Sequence, residues 1–81
     1  MRIRVQPFGK KNLIGARVES SRKKQGMKQK ELLAKLQIRG IDMNASSLSK
    51  LEGQIRGVSD LELFALSQVL EVSPEWLITG K

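Results

Sequence analysis

The sequence predicts an all-α fold of five short helices, and three observations lead to this fold class. Apolar residues recur every three or four positions along most of the chain, which is the spacing of an amphipathic helix. Capping residues, glycines and prolines at isolated positions divide this pattern into short segments. The alternation typical of a strand is confined to residues 2–5, which we interpret as part of a basic N-terminal arm over residues 1–11. Residues 12–80 then form one helical domain.

Apolar spacing defines the first two helices. We expect the first at about residues 10–25, ended by Gly26, and the second at about residues 29–37. Their apolar stripes consist of Ile14 and Val18 in the first helix, and of Leu32, Leu33 and Leu36 in the second. Each stripe covers one side of its helix, as expected for helices that pack in a small bundle.

A long turn, residues 38–43, separates the second helix from the third. Gly40 and the mixed polarity of this segment argue against a continuing helix. The apolar residues that we expect to hold the turn against the core are Ile38, Ile41 and Met43. Asn44 is a favourable N-cap for the third helix, at about residues 45–53. The side chains expected to face inward there are Leu48 and Leu51, and those expected to face outward are Ser46, Ser47, Ser49 and Lys50.

Two capping patterns mark the last two helices. Ser59, followed three residues later by Glu62, forms a capping box at the start of the fourth helix. Ser73 and Pro74 are an N-cap and a first helical residue for the fifth helix, which ends near Gly80. The residues expected to be buried in the fourth helix are Leu63, Phe64, Leu66 and Leu70, and the fifth contains Trp76, Leu77 and Ile78.

The composition argues against an enzyme. The 81 residues include no Cys and no His, which removes disulfides, thiol nucleophiles, imidazole acid-base catalysis and the usual nitrogen and sulfur ligands of zinc. We therefore expect no catalytic residue, no metal and no cofactor. No apolar run approaches the length of a membrane span or of a signal peptide. The expected location is the cytoplasm, with no membrane partner.

The net charge of +7 is distributed unevenly along the chain. Residues 1–30 contain ten Lys or Arg and a single acid, Glu19, whereas residues 59–81 contain four acids and a single Lys, Lys81. This asymmetry is typical of a protein with one surface that attracts a polyanion and another that does not. A Lys-rich face that is merely solvated is the alternative interpretation, since charge patterning alone does not identify a ligand.

The third helix has the side chains that a major-groove reader needs. The groove is about 12 Å wide, and a helix approaches the bases closely only where short side chains face them. Ala45, Ser46 and Ser49 are short, and a Ser hydroxyl can donate to or accept from several base edges. Lys50 can reach guanine acceptors or a phosphate. The alternative is that this Ser-rich helix is simply exposed to water.

Three segments, in this order and spacing, resemble the phage repressor and Cro-like helix-turn-helix regulators, also called the XRE family. They read RKKQGMKQKEL at residues 22–32, NASSLSKLE at residues 44–52 and LEVSPEWL at residues 70–77, and the resemblance covers roughly residues 13–80. It implies a lambda-repressor-like helix-turn-helix bundle that binds double-stranded DNA sequence-specifically as a homodimer. Such a protein would be a nucleoid-associated regulator of transcription, with repression the favoured direction.

The resemblance also implies roles for individual residues. The positions that contact base edges correspond to Ala45, Ser46, Ser49 and Lys50. The positions that contact DNA phosphates correspond to Arg22, Lys28, Gln29, Lys30, Asn44, Ser47 and Arg56. Arg22 and Glu52 match a pair that forms an ion pair between the first and third helices, and Trp76 matches a tryptophan that anchors the core.

Four features depart from the family pattern. The turn at residues 38–43 is several residues longer than the common form, and Leu33 stands where a small residue is usual. Lys28 replaces a hydroxyl or amide N-cap, and Glu71 replaces a glycine that usually ends the fourth helix. None of these departures removes the fold. The longer turn affects the angle or offset between the second and third helices, and the departures together affect the fine geometry of docking.

A second function stays open from the sequence, because the same scaffold is reused for other tasks. The chain would then be a protein-interaction module, such as an antitoxin or anti-regulator that masks a regulatory protein partner. The weak base-reading chemistry of the short side chains on the third helix supports this interpretation. The strongly basic N-terminal region argues against it.

Overall fold

Five α-helices follow one another in the computed structural model, which describes residues 11–81. They are α1 (Gly15–Lys24), α2 (Gln29–Ile38), α3 (Ala45–Glu52), α4 (Asp60–Leu70) and α5 (Pro74–Thr79). No strand occurs among the described residues. The predicted all-α class and the predicted number of helices are confirmed. The proposed arm, residues 1–11, lies outside the described residues except for Lys11.

The first helix begins at Gly15, later than its apolar spacing predicts. The reason is local, because the Asn12 side-chain oxygen accepts a hydrogen bond from the Gly15 N–H at 2.7 Å and turns the chain before the helix starts. The expected stop is confirmed at the other end. Gly26 has a φ of +70°, a left-handed conformation that glycine adopts readily, and its N–H donates to the Lys23 carbonyl at 2.9 Å.

The turn between α2 and α3 is held differently from the prediction. Ile41 and Met43 pack against the core as expected, and the Ile41 N–H donates to the Leu36 carbonyl at 3.0 Å. The expectation that Ile38 also pins the turn is wrong, since Ile38 is 83% exposed. It belongs to α2, two residues after the buried Leu36, and this offset rotates it about 200° away from the core side of the helix.

The capping patterns that mark the last two helices are confirmed. The Ser59 hydroxyl accepts from the Glu62 N–H at 3.1 Å, and the Glu62 carboxylate accepts from the Ser59 N–H at 3.1 Å. The Ser73 hydroxyl accepts from the Trp76 N–H at 2.9 Å. Glu71 ends α4 in the left-handed conformation, with a φ of +58°, although a glycine would adopt it more easily.

One apolar core joins all five helices. Its buried members are Ile14, Val18, Leu32, Leu36, Leu48, Leu51, Ala65, Leu66, Val69, Leu70 and Leu77. Trp76 is half-buried against this core, as the resemblance implies. The expected burial of Phe64 is wrong because it lies two positions before Leu66, on the opposite side of α4. Ala65 and Val69 complete the buried face instead.

The third helix lies between two others. Both α1 and α2 pack against α3, while α4 packs against α1, α2 and α5. None of the helices within residues 11–81 is long and apolar enough to cross a membrane. This arrangement buries one side of α3 and leaves the other side to solvent.

Candidate nucleic-acid interface

The exposed side of α3 carries all four residues that the resemblance assigns to base contacts. Ala45, Ser46, Ser49 and Lys50 are exposed. On the other side, Leu48 and Leu51 are completely buried. Residues three and four apart share one side of a helix, so the four form a continuous strip of three short side chains and one cation. Their contact with bases stays a prediction.

Asn44 caps the start of α3. Its side-chain oxygen accepts from the Ser47 N–H at 2.7 Å, and its backbone carbonyl accepts from the Leu48 N–H at 3.0 Å. The cap uses only the oxygen of the carboxamide. The Asn44 amide nitrogen therefore stays a candidate phosphate donor on an exposed residue.

A buried ion pair, called here the inner ion pair, joins Arg22 of α1 to Glu52 at the end of α3. Arg22 Nε lies 2.7 Å from Glu52 Oε2, and Arg22 Nη2 lies 3.0 Å from Glu52 Oε1. The two side chains are only 8% and 4% exposed. The hydrogen bonds to the Glu52 carboxylate raise the pKa of Arg22 above its ordinary value, although burial acts in the opposite direction.

This geometry gives Arg22 a structural role. Its Nη1 also donates to the Met27 carbonyl at 2.9 Å, so every nitrogen of the guanidinium already has an acceptor. This geometry does not favour the predicted phosphate contact of Arg22, because the guanidinium is enclosed and each of its three nitrogens donates to an acceptor within the chain. The ion pair that the resemblance implies is present.

Gln29, at the first position of α2, is attached to the same carboxylate. Its Nε2 donates to Glu52 Oε1 at 3.0 Å, and its Oε1 lies 3.5 Å from the Ser49 hydroxyl. These two contacts hold the start of α2 beside the exposed strip of α3. Lys28 and Lys30 flank Gln29 in the sequence and are exposed, so they belong to the same end of α2.

The start of α2 is capped from inside the helix. The Glu31 carboxylate accepts from the Lys28 N–H at 2.7 Å, which is one half of a capping box. The other half is missing because the Lys28 ammonium has no lone pair to accept a hydrogen bond. The sequence indicated the weak N-cap at Lys28 but not its partial replacement by Glu31.

Gly15 determines how closely α1 approaches the end of α3. A Cβ at this position would overlap the Leu51 carbonyl oxygen and would lie 3.0 Å from the Glu52 carbonyl oxygen. Both obstacles are backbone atoms, so a side chain could not be accommodated by a change of rotamer. Gly15 does not stand out in the sequence, where its one signal is a glycine directly beside an apolar residue, Ile14.

A second ion pair, called here the outer ion pair, joins Arg56 in the loop after α3 to Glu62 of α4. Arg56 Nη2 lies 2.8 Å from Glu62 Oε2, and Arg56 Nη1 lies 3.1 Å from Glu62 Oε1. Arg56 Nε donates to the Ser47 hydroxyl at 2.9 Å, and Nη1 also donates to the Gly57 carbonyl at 2.6 Å. The two charged side chains are 23% and 19% exposed.

The charges of the outer ion pair stabilise each other. The hydrogen bond from Arg56 lowers the pKa of Glu62, and the Ser59 N–H acts in the same direction against the effect of burial. The hydrogen bonds to Glu62 raise the pKa of Arg56. Arg56 and Ser47 were both predicted to contact phosphates, but the structure places them in contact with each other.

Asn12 joins the start of α1 to the end of α3 and to the loop that follows it. Its Nδ2 donates to the Leu51 carbonyl at 3.1 Å and to the Arg56 carbonyl at 2.8 Å. Gln54, which has a φ of +63° in that loop, donates from its side chain to the Asn12 carbonyl at 3.1 Å. These contacts hold the loop in place, and no local pattern in the sequence indicates them.

No family model, curated protein or solved structure matches this chain. The side chains of the candidate interface are therefore the only indication of what it can bind. Within residues 11–81, no group of three or more Asp or Glu side chains lies close enough together to hold a metal ion. The groups that the interface offers to a ligand are hydroxyls, an amide, lysine ammoniums and helix N–H groups.

Proposed function

We propose that this protein binds double-stranded DNA sequence-specifically and regulates transcription, with α3 in the major groove. The observation that carries the proposal is the exposed strip of α3, in which Ala45, Ser46 and Ser49 are short while the buried side of the helix is fixed to the core. A helix with this profile can approach base edges without a long side chain holding it away from the groove.

Lys50 supplies the strongest base-reading chemistry on that strip. It is exposed near the end of α3, where its ammonium can reach the acceptors of a guanine. The hydroxyls of Ser46 and Ser49 discriminate less, because a hydroxyl can serve as donor or acceptor to several bases. We therefore expect Lys50 to specify one position of a half-site more strongly than its neighbours do.

The start of α2 is suited to a DNA phosphate. The first N–H groups of a helix have no acceptor within the helix and favour an anion. The Gln29 amide, which donates one of its two N–H groups to Glu52, lies there, and the exposed Lys28 and Lys30 add two positive charges. Because Gln29 also contacts the end of α3 through Glu52, a phosphate bound at this point would set the depth of α3 in the groove.

We further propose that the protein binds as a homodimer of the XRE type. Two copies related by a two-fold axis would place their α3 helices in successive major grooves, about 34 Å apart. The preferred site would then be a pseudo-palindrome, and the protein would be found on the nucleoid. Neutralised phosphates release counterions, so binding should weaken steeply as salt increases.

One observation favours a second candidate function, that of a protein-interaction module. Leu61 and Phe64 lie one turn apart on α4 and are exposed, although both are large and apolar. Exposed apolar side chains on one side of a helix are typical of a surface that contacts another protein. A regulatory protein partner that binds this side of α4 would be compatible with DNA binding by α3.

The deciding experiment is selection of bound sequences from random duplex DNA, followed by titration at several salt concentrations. The wild-type protein should enrich a two-fold symmetric site. The Lys50→Ala variant should relax the preference at one position of each half-site, with a loss of about 1–3 kcal/mol of discrimination there. Lys81→Ala is the matched control, because it removes the same charge from the acidic C-terminal region.

The outcomes separate the two candidates. Enrichment that relaxes at one position in Lys50→Ala but not in Lys81→Ala supports DNA reading by α3. Failure to bind any duplex at low salt would refute the proposed function. Recovery of one stoichiometric protein, lost in a Leu61→Ser and Phe64→Ser double variant, would then favour the interaction module.

A further inference from the structure

The first turn of α3 is held by side chains from two other segments of the chain. Ser47 lies in that turn, Arg56 in the loop that follows α3, and Glu62 in the first turn of α4. The Ser47 hydroxyl receives the Arg56 Nε–H, and the Arg56 Nη1 and Nη2 groups both donate to the Glu62 carboxylate. The hydroxyl on α3 is thereby connected to α4 through a single planar guanidinium.

The position of that guanidinium is fixed from both sides. A guanidinium matches a carboxylate with two parallel hydrogen bonds, so Glu62 determines the orientation of its plane. Glu62 is itself held by the Ser59 N–H in the capping box of α4. Four of the five N–H groups of Arg56 donate within the described part of the chain, which leaves one for any other acceptor. A phosphate could therefore accept no more than one hydrogen bond from Arg56 without displacing the Glu62 carboxylate that α4 holds in place.

The other end of α3 is fixed independently. Glu52 is anchored to Arg22 and Gln29, and Gly15 packs against the carbonyls there. Ser47 and Glu52 are five residues apart, which is about 7.5 Å along a helix axis. With the Glu52 end anchored, the hydrogen bond from Arg56 to Ser47 acts at the opposite end of α3, where a small displacement would tilt the helix and change the direction in which Ser46, Ser49 and Lys50 face.

We propose that Arg56 and Glu62 are positioning residues that set the tilt of α3 through Ser47, and that Arg56 is not a ligand of DNA. This inference rests on the proposed function, since the tilt matters for the reading of bases. It assigns to Arg56 a role different from the phosphate contact that its place in the loop suggested. Glu62, which the sequence presents only as a capping residue, becomes part of the candidate interface.

The Glu62→Gln variant distinguishes two roles for Arg56, that of a phosphate ligand and that of a positioning residue. The two roles predict changes in DNA affinity of opposite sign. Gln at the third helical position preserves the capping box, while the ion pair with Arg56 is lost. If Arg56 were a phosphate ligand, the variant would release its guanidinium, remove a nearby negative charge and strengthen binding to every duplex. If Arg56 positions α3, binding to the selected site should weaken by about tenfold, comparable to one mismatched base pair, without loss of binding to random DNA.

Three further variants complete the DNA measurement. Arg56→Lys keeps the charge but not the fork, so it should lose specificity as Glu62→Gln does while the salt dependence of binding stays that of the wild type. A phosphate contact would instead predict that Arg56→Gln lowers the salt slope by about one. Ser59→Ala is the matched control, because it removes the hydroxyl of the same capping box and leaves the ion pair intact.

A measurement without DNA tests the structural half of the inference. Amide hydrogen exchange should become about three to ten times faster at Leu48 and Ser49, in the first turns of α3, in Glu62→Gln and Ser47→Ala. The Val18 amide, which donates to Ile14 in α1, should keep its wild-type rate. This contrast distinguishes local release of α3 from a general loss of stability.

The outcomes are distinct. Weaker specific binding together with faster exchange confined to α3 supports the inference. Tighter binding to all sequences in Glu62→Gln, or unchanged exchange at Leu48 and Ser49, overturns it. If the wild-type protein selects no DNA, the proposed function fails, and the exchange rates still decide whether the outer ion pair holds α3.

Discussion

The two ends of α3 are held by the same chemistry in two different environments. At the C-terminal end, the inner ion pair of Arg22 and Glu52 has side chains that are 8% and 4% exposed. At the N-terminal end, the outer ion pair of Arg56 and Glu62 has side chains that are 23% and 19% exposed. Both pairs are bidentate, and both involve an Arg that donates additional hydrogen bonds to a backbone carbonyl.

The difference in burial gives the two pairs different tasks. Removal of one partner from a buried pair leaves an uncompensated charge in a region that excludes water, and this destabilises the fold strongly. A pair near the surface is partly screened, and water can solvate the partner that is left. We infer that the inner ion pair decides whether α3 is folded onto the core, whereas the outer ion pair decides how α3 is tilted.

The largest expected effect comes from breaking the inner ion pair. Glu52→Ala should lower the free energy of unfolding by about 3–5 kcal/mol, because Arg22 then stays buried without its carboxylate. Urea denaturation measures this loss. Glu19→Ala, which breaks the exposed Glu19–Lys23 pair, is the control and should change stability by less than about 0.5 kcal/mol. A thermal midpoint of Glu52→Ala equal to that of the wild type would contradict the comparison.

The next effect concerns the contact between α1 and the same end of α3. Gly15→Ala should cost about 1–3 kcal/mol, because its Cβ would force apart two backbones rather than displace a side chain. In an unobstructed helix the same change would be stabilising, so the sign alone tests the close approach. Gly57→Ala is the matched control, since a Cβ there meets open space. Equal stability of both variants would show that α1 and α3 are less tightly packed than described.

A smaller effect is expected at the N-terminal end. Asn44→Ala should lower stability by about 1 kcal/mol through loss of the N-cap. Asn44→Asp should keep the cap and the stability, since an aspartate accepts the same N–H and is favoured by the helix dipole. Its added charge should nevertheless weaken binding to DNA. If Asn44→Asp and Asn44→Ala destabilise the protein equally, loss of the N-cap is not the cause of the destabilisation.

The smallest effect is an acid dependence that belongs to the outer ion pair. The pKa of Glu62 is lower in the folded protein than its ordinary value, so its carboxylate stabilises the fold above about pH 4.3 and loses that contribution as pH falls through the folded pKa. Glu62→Gln has no carboxylate to protonate. The stability advantage of the wild type over this variant should therefore shrink between pH 7 and pH 3, in paired urea titrations. An advantage that does not change with pH would contradict the pairing with Arg56.

The helices and their ends were readable from the sequence because their signals are local. Ser59 with Glu62, Ser73 with Pro74, and Gly26 each specify a helix boundary within four residues, and the structure has each boundary there. Errors arose where the rotation about the helix axis mattered. Phe64 looked buried because it stands beside Leu63, although a step of one residue turns a side chain by about 100°.

The site was only partly readable, because its organisation depends on contacts between distant residues. Arg56 in a polar loop looks like a free cation, and Glu62 is already explained as a cap. That one carboxylate serves both the cap and Arg56 becomes visible only when the loop after α3 is placed beside the start of α4. The same limit applies to Asn12, whose acceptors lie 39 and 44 residues away.

The brevity of α3 has a consequence for the way the protein tolerates mutation. At eight residues, α3 is too short to be stable in isolation, since helices below roughly 12–15 residues are marginal in water. Its shape is therefore supplied by Asn12, Gly15, Arg22, Arg56 and Glu62, which belong to other segments of the chain. In a screen of random substitutions for loss of ligand binding, we expect the inactivating positions to be scattered over the chain rather than gathered on α3.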